Sequence, residues 1–258
     1  MKKRNVMYFK LWYVLLGIGC SLYFTQQLAA AISLGSLENF AVLAGSTVTN
    51  TGSTTVNGDV GVSPGTSVTG FPPGLILNGA LQSNNAAASM AQTQALAIYT
   101  SLGGMAVTQD LTGVDLGGQT LTPGVYGFAS AAQLTGILTL DGLGMIDPVF
   151  VFKVGSTLIS ATDSSIILIN GARGPTDVFF QVGGSTTLGV GTAFAGTIIA
   201  SSSNTLNTGA SINGRVVALN GAVTLDGNSI TAVPEPSSAM ISIVAVTVLL
   251  LRTKRKLS

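Results

Sequence analysis

The sequence predicts a mainly β protein built as a solenoid, with one long α-helix packed alongside it. Three observations support this fold class. A Thr-Leu pair recurs through the second half of the chain, the apolar runs between turns are rich in β-branched residues, and one segment near residue 90 has helical spacing instead. Repeats too short to bury a core individually must stack on one another, and stacking produces a solenoid.

The Thr-Leu pairs mark the repeat. Their threonines are separated by 18, 30, 18 and 19 residues, and Gly, Asn or Asp interrupts each unit. The threonines are Thr139, Thr157, Thr187, Thr205 and Thr224. The 30-residue interval is expected to contain a loop around residues 170–176, where Gly and Pro oppose a regular strand.

The pairs also predict an outward file of threonines. Consecutive side chains of a strand point to opposite faces, so each leucine is expected in the core and each threonine in solvent. Stacked coils would align the threonines at the strand spacing of roughly 4.7–4.9 Å, as a flat array of hydroxyl and methyl groups. A single threonine in such a position is more readily explained as a strand former that faces solvent, and only the file as a whole favours a functional surface.

The first half of the chain predicts two more coils and then a helix. Residues 34–70 are rich in Thr, Gly and Val, and the prolines of residues 71–74 are expected to end these coils. A helix over about residues 83–102 follows, capped by Ser83 or Asn84 and ended by Gly103-Gly104. Its stripe at intervals of three and four residues consists of Ala88, Ala91, Ala95, Ile98 and Leu102. The stripe is mostly alanine, which suits close packing along the solenoid.

Both ends of the chain have the composition of targeting segments. Residues 1–31 combine a basic start, a short apolar run and Ala29-Ala30-Ala31, which predicts a secretory signal peptide, with an uncleaved membrane anchor as the alternative. Residues 233–258 contain Pro234-Glu235-Pro236, an apolar run over 237–251, and four basic residues. That order predicts a membrane tether or sorting signal whose basic end stays in the cytoplasm. The domain between them is predicted to span residues 32–232.

Charge and composition exclude several functions for residues 32–232. Three basic and nine acidic residues leave a net charge of −6, so nucleic acid is not an expected partner. The segment has no histidine and no cysteine, which removes the usual nucleophile-base pairs and nearly all zinc or copper sites. Its aspartates are scattered beside turn residues. We therefore expect no catalytic residues, no metal and no cofactor. The rival interpretation is a parallel β-helix enzyme that cleaves acidic polysaccharides with clustered aspartates.

The tail resembles a PEP-CTERM signal, in which a Pro-Glu-Pro motif precedes an apolar run and a basic end. Here the motif is Pro234-Glu235-Pro236. The resemblance implies an exosortase-type processing enzyme as a partner, a Gram-negative bacterium as the source, and a secreted or cell-surface protein whose membrane anchoring is transient.

The body of the chain resembles the microbial ice-binding protein family. The resemblance rests on FAVLAGSTVTNTG and TTVNGDVGVSPG within residues 40–65, LTPGVYGF at 121–128, PVFVFKVGSTL at 148–158 and NTLNTGASINGRVVALNGAVTLDGN at 204–228. It implies a discontinuous right-handed β-solenoid of triangular section, with a long helix alongside and the N-terminal coils joined to the C-terminal ones. It also implies adsorption to an ice crystal surface, by a protein expected to be a monomer.

Members of that family often carry Thr-(Ala/Gly)-x-(Thr/Asn) on the ice-binding face. Thr51-Gly52-Ser53-Thr54 fits fully, Thr208-Gly209-Ala210-Ser211 ends in serine, and Thr192-Ala193 keeps the first two positions only. The motif and the Thr-Leu file are two candidate faces, and the sequence leaves the choice open. The residues of interest are Thr51, Gly52, Thr54, Thr157, Thr187, Thr192, Ala193, Thr205, Thr208, Gly209, Ser211 and Thr224. The alternative function is a structural or adhesive surface protein that binds exopolysaccharide and has no ice activity.

Overall fold

The computed structural model describes residues 32–232, which form a parallel β-solenoid with a helix at its side. The helical elements are a 3₁₀ turn (Gly35–Leu37), α1 (Ala86–Gly104) and α2 (Gly174–Asp177). The strands in chain order are β1 (Phe40–Ala44), β2 (Thr47–Thr51), β3 (Thr55–Asn57), β4 (Asp59–Val62), β5 (Ser67–Thr69), β6 (Leu75–Leu77), β7 (Leu81–Ser83), β8 (Gln109–Asp110), β9 (Thr120–Leu121), β10 (Gly124–Phe128), β11 (Ala132–Leu134), β12 (Ile137–Asp141), β13 (Phe150–Val154), β14 (Leu158–Ser160), β15 (Ser165–Ile169), β16 (Val178–Val182), β17 (Thr186–Leu188), β18 (Ala193–Ala200), β19 (Asn204–Leu206), β20 (Ser211–Ala218), β21 (Val223–Asp226) and β22 (Ser229–Thr231).

Each coil crosses three faces, so the section is triangular. Face A contains β1, β4, β7, β8, β10, β13, β16 and the second halves of β18 and β20. Face B contains β2, β5, β11, β14, β17, β19 and β21, and face C contains β3, β6, β9, β12, β15, β22 and the first halves of β18 and β20. Strands β18 and β20 bend from face C to face A at Gly196 and Gly214, where φ is 127° and 148°. A side chain does not fit there, because a Cβ on Gly214 would lie 2.0 Å from the Gly196 carbonyl oxygen.

The stack of coils is discontinuous in sequence. The first coil pairs with the last one on all three faces, through β1 with β20, β2 with β21, and β3 with β22. The second coil stacks on the first, and β7 stands at one end of face A while β8 stands at the other. The chain must therefore travel the length of the stack once, between Ser83 and Gln109. Helix α1, with 19 residues and a length of about 28 Å, makes most of that passage along face A.

Helix α1 packs through the apolar stripe expected from the sequence. Its buried residues are Ala88, Ala91, Ala95, Ile98 and Leu102. The Gln92 side-chain amide donates to the carbonyl oxygens of Ala218 at 3.0 Å and Leu219 at 2.6 Å, which fastens the helix to face A. The predicted start at residue 83 is wrong by three residues. Leu81–Ser83 forms β7, Asn84 has a φ of 43°, and Asn85 is the N-cap, accepting a hydrogen bond from the Ala88 N–H at 3.0 Å.

The interior of the solenoid is filled mainly by aliphatic residues and contains one aromatic ladder. The ring centroids of Tyr126 and Phe152 are 5.3 Å apart, those of Phe152 and Phe180 are 4.4 Å apart, and those of Phe180 and Phe194 are 4.8 Å apart. Tyr126, Phe152 and Phe180 lie on successive strands of face A, and Phe194 contacts Phe180 from face C of the same coil, so the ladder ties three coils together. Among the described residues, the strand pairings and the core cluster all lie within 40–232, so this domain contains its own core.

Two further expectations about the fold are corrected. The prolines of residues 71–74 do not end the N-terminal coils, because the chain resumes pairing as β6 and β7 directly after them. The loop expected around residues 170–176 is present but ends in one helical turn, α2, which lies against β18 and β20. The predicted signal peptide at 1–31 and the C-terminal segment at 233–258 lie outside the described residues.

Candidate functional site

Face B is a seven-stranded parallel sheet with short, regular strands. Along each central strand the side chains alternate between core and solvent, as the Thr-Leu pairs predict. Leu188, Leu206 and Leu225 are at most 1% exposed. The threonines directly before them face outward. This part of the sequence interpretation is confirmed.

The register of face B aligns these threonines in one file. In stacking order, the outward positions are Gln133, Ile159, Thr187, Thr205, Thr224, Thr49 and Thr69. Five consecutive threonines separated by one strand spacing each extend over about 19 Å. We call these five residues, Thr187, Thr205, Thr224, Thr49 and Thr69, the threonine file.

Two of the five threonines were not found from the sequence. Thr49 and Thr69 are followed by Asn50 and Gly70, so a search for Thr-Leu pairs passes over them. The available signal was the alternation Thr47-Val48-Thr49, together with the knowledge that the first coil pairs with the last. Only the pairing of Thr49 with Thr224 shows that the file continues into the N-terminal coils.

Two threonines of the Thr-Leu series lie elsewhere. Leu158 pairs with Thr186, so Thr157 lies two residues before the position that pairs with Thr187 and precedes the strand. Ile159 takes the place in the file that Thr157 was expected to take. Thr139 lies on face C, where it pairs with Thr120 and Ile167. The sequence repeat is therefore not identical to the structural repeat, because loops of unequal length shift the pair by two residues or by one face.

A second outward row runs beside the threonine file. Thr47 pairs with Ser67, and in the neighbouring coils Thr157, Ser185, Ser203 and Ala222 precede the strands of face B. The Ser203 hydroxyl accepts from the Ala222 N–H at 3.1 Å, and the Ser185 hydroxyl accepts from the Ser203 N–H at 3.3 Å. These contacts join adjacent coils and hold the row in place. Two residues along a strand separate the row from the file by roughly 7 Å.

The Thr-(Ala/Gly)-x segments form the corner between face B and face C. Their residues are distributed over the edge of face B, the turn itself and face C. Thr51 and Thr208 are exposed at the edge of face B. Gly52 and Gly209 have φ values of 79° and 72°, which turn the chain onto face C. The pairing partners Ala193 and Ser211 lie on face C, so the expectation that they belong to the same face as Thr208 is wrong.

Thr54 and Thr192 are structural residues of that corner. Both are 0% exposed. The Thr54 hydroxyl accepts from the Asn228 N–H at 3.0 Å, and the Thr192 hydroxyl lies 2.8 Å from the Ser160 hydroxyl and donates to the Ala161 carbonyl oxygen at 3.2 Å. Their assignment to a binding surface is therefore wrong, because buried side chains that satisfy the corner backbone cannot touch a solid surface.

Asp226 is the one ionisable residue within the seven strands of face B. It pairs with Thr51, and its carboxylate accepts a hydrogen bond from the Thr208 hydroxyl. Its own N–H donates to the Asn228 side-chain oxygen at 2.6 Å. Face B thus has a neutral centre, with a single charge at its edge.

Other acidic residues of the described domain cap turns. The Asp59 carboxylate accepts a hydrogen bond from the Ala80 N–H at 2.7 Å, and the Asp141 carboxylate accepts one from the Leu143 N–H at 2.8 Å. Burial raises the pKa of Asp115, but hydrogen bonds from the N–H groups of Gly117 and Thr135 outweigh it, so the pKa lies below its ordinary value. Within residues 32–232, no group of three acidic side chains could hold a metal ion. In the same range, no helix is both long and apolar enough to cross a bilayer.

The geometry defines a class of protein, namely a discontinuous parallel β-solenoid that presents one flat, threonine-bearing sheet. The model of the family described as Ice-binding-like matches residues 42–231 of this chain. The chain belongs to that family.

Known proteins of the same kind are similar over most of the chain. An ice-binding protein of Nostoc sp. (strain HG1) is 49% identical over 236 residues, which are 86% of this chain and 87% of that protein. The crystal structure of an ice-binding protein from an Antarctic biological consortium has a TM-score of 0.75 and 43% identity, covering 78% of this chain and 91% of that one. The crystal structure of an ice-binding protein from the Antarctic ascomycete Antarctomyces psychrotrophicus has a TM-score of 0.74 and 40% identity. The match covers 80% of this chain and 100% of that one.

Proposed function

We propose that this protein adsorbs to ice through face B and thereby inhibits ice growth or recrystallisation. The observation that carries the proposal is the threonine file, with five outward threonines at one strand spacing on a sheet that has a neutral centre. Similar proteins that are named as ice-binding support it. Binding would need no cofactor and no turnover.

The physical basis is a match between two regular surfaces. Stacking of parallel strands sets one repeat of roughly 4.8 Å, and alternation along each strand sets a second repeat of roughly 7 Å. Each threonine offers a methyl group that orders water and a hydroxyl group that hydrogen bonds to it. A rigid face avoids the entropy cost of ordering side chains on contact, so the adsorbed state loses little of its binding free energy.

We further propose that the chain is exported. The signal peptide predicted at 1–31 would direct secretion, and Pro234-Glu235-Pro236 with the following apolar and basic residues would act as a sorting signal for an exosortase-type enzyme. The protein would then act at the cell surface or in the surroundings of the cell.

The test is thermal hysteresis and recrystallisation inhibition on purified residues 32–232, with circular dichroism to confirm β structure. Thr51→Tyr and Thr208→Tyr, at the edge of face B, are expected to lower the activity without altering the spectrum. A folded domain without activity at micromolar concentration would contradict the proposal. It would favour the alternative of a surface protein that binds exopolysaccharide, which a carbohydrate-binding assay would then address.

A further inference from the structure

The second coil forms an open end of the solenoid. Among the described residues, β5 pairs only with β2, β6 only with β3 and β7 only with β4, so each of these strands has one outer edge. On the inner edge of β6, the Leu75 N–H donates to the Thr54 carbonyl oxygen at 2.8 Å. The Leu77 carbonyl oxygen accepts from the Gly58 N–H at 2.9 Å. Backbone groups of consecutive strand residues point to opposite sides, so the N–H and C=O of Ile76 point out of the open end, where another strand can pair with them.

The core is also uncovered at this end. Leu81 pairs with the buried Val60, yet Leu81 is 45% exposed. Val68 and Ile76 pair with buried valines of the first coil, and both are only half-buried. Leu75 stands beside them on the outside of face C and is 56% exposed. The inward residues of the second coil are core positions on which no further coil of the described domain is stacked, so covering them would be favourable.

The open end carries no charge, whereas the other end of the stack does. Residues 60–109, which include the whole second coil, contain no Asp, Glu, Lys or Arg. Charges on an edge strand, or prolines within it, usually prevent pairing with another chain. Here Pro72 and Pro73 lie in the turn between β5 and β6, outside both strands. The far end carries Asp110 in β8 and Asp115 beside β11, so two copies would repel each other there.

We propose that two copies of this chain associate end to end through β5, β6 and β7, on a two-fold axis normal to face B. The axis passes through Val68, so that β5 pairs antiparallel with β5 of the second copy and β6 pairs with its β7. Ile76 then lies opposite Leu81 of the second copy, and both side chains enter one joined core. A second copy is the expected occupant because only another triangular end covers all three open edges at once. The interface is the same on both copies, so assembly stops at the dimer.

The dimer is expected to be weak. Three strands of three residues each are fewer than the roughly 20–30 residues that each side contributes to a standard interface. A dissociation constant of about 1–100 µM is therefore expected. The expectation of a monomer would then hold only at lower concentrations.

The association would enlarge the surface proposed to bind ice, and this consequence rests on the proposed function. Thr69, the last residue of the threonine file, lies on the open edge strand β5. Across the axis it lies opposite Ser67 of the second copy, so outward rows continue from one copy into the other. The sheet of face B grows from seven strands to fourteen, 7 + 7. Its length along the stack increases from about 29 Å to about 62 Å.

Sedimentation velocity of residues 32–232 between about 1 and 500 µM tests the association, and the average mass should double over this range. Leu81→Lys and Leu75→Lys place a charge at the open end and should each raise the dissociation constant by about tenfold or more, with unchanged circular dichroism. Ile137→Lys is the matched control, because Ile137 is 50% exposed on face C but lies on β12, far from this end. It should leave the constant unchanged. A parent protein that stays monomeric throughout, or a folded Leu75→Lys variant that dimerises like the parent, would refute the proposal.

The same measurement on residues 32–258 in mild detergent tests the occupant. Dimers at the same concentrations would support a second copy. Monomers at concentrations where residues 32–232 dimerise would show that the chain's own C-terminal segment covers the open end, which would overturn the proposal.

A single engineered thiol tests the orientation. The only cysteine of the chain is Cys20, so residues 32–232 have none. In the dimer, Val68→Cys would bring two thiols to the axis with their Cα atoms about 5 Å apart, within the reach of a disulfide. It should form a disulfide-linked dimer about tenfold or more faster than Asn213→Cys, which lies exposed on face C. Equal rates would refute the orientation.

The disulfide-linked dimer also separates the two proposals. At equal chain concentration, its thermal hysteresis should exceed that of the reduced variant by about twofold or more. Equal hysteresis would show that the two copies of face B do not contact ice together, against the orientation. Absence of hysteresis in both forms would refute the proposed function itself, whereas the sedimentation result decides the dimer.

Discussion

The position of a substitution within the threonine file should decide how much it lowers thermal hysteresis. Thr224 is the middle residue of the file and Thr69 is its last residue. A tyrosine ring at either position projects beyond the neighbouring threonine methyl groups and prevents a flat ice surface from contacting them. Thr224→Tyr leaves two separate pairs, each extending over about 5 Å, whereas Thr69→Tyr leaves four consecutive threonines over about 14 Å.

The expected results differ accordingly. Thr224→Tyr should lower thermal hysteresis at equal concentration by about tenfold, equivalent to about 1.4 kcal/mol if hysteresis follows affinity. Thr69→Tyr should lower it much less. Ser229→Tyr is the matched control, because Ser229 is exposed in the next strand of the same coil but lies on face C. It should leave hysteresis unchanged.

The assay is thermal hysteresis across a concentration series, with circular dichroism and the urea midpoint measured for each variant. The urea midpoints should remain close to that of the parent protein, because exposed strand positions tolerate an aromatic residue. Equal losses for Thr224→Tyr and Thr69→Tyr would show that the length of the uninterrupted file is not what matters. A loss for Ser229→Tyr as large as that for Thr224→Tyr would show that face B is not the binding face.

Three other predictions concern stability and the edge of face B. Phe152→Ala should lower the free energy of unfolding by about 3–5 kcal/mol, because Phe152 is 0% exposed and stacked between two rings; a urea-denaturation difference below about 1 kcal/mol would contradict the packing argument. Asp226→Thr should raise thermal hysteresis, since it replaces a hydrated charge with a methyl and a hydroxyl group, and unchanged or lower hysteresis in a folded variant would oppose this. The pKa of Asp115 is lowered in the folded protein. Its contribution to stability is therefore present above the unfolded pKa of about 3.9 and is lost as pH falls through the folded pKa. The urea midpoint should decrease less on acidification in Asp115→Asn than in the parent protein, and an equal decrease would contradict this.

Local sequence patterns are sufficient to predict the helix and the strands that carry the Thr-Leu pairs. The stripe from Ala88 to Leu102 identified every buried residue of the helix, because helical spacing is a property of neighbouring residues. The inward leucines of the Thr-Leu pairs were identified for the same reason, since alternation is inherent in a strand. The helix start was wrong because strand pairing of Leu81–Ser83 with β4 depends on a partner distant in sequence.

The binding face was only partly predictable. Thr187, Thr205 and Thr224 were predicted correctly, but Thr157 lies two residues before the file, and Thr54 and Thr192 are buried although they were expected to be exposed. Register depends on loop lengths in other coils, and a shift of two residues keeps the Thr157 side chain outward but moves it from the file to the neighbouring row. Burial at the corner depends on hydrogen bonds between coils, such as that between Thr54 and Asn228.

The sequence by itself determined the solenoid class, the stripe of the helix, the acidic and cysteine-free character of the domain, and the outward direction of the Thr-Leu threonines. The tertiary structure alone decided that Thr49 and Thr69 extend the file, because the first coil stacks on the last and brings Thr49 beside Thr224. It also decided that the file ends on β5, which pairs only with β2 among the described residues. The position of Thr49 follows from a pairing between residues more than 170 positions apart, which no local pattern in the sequence can show.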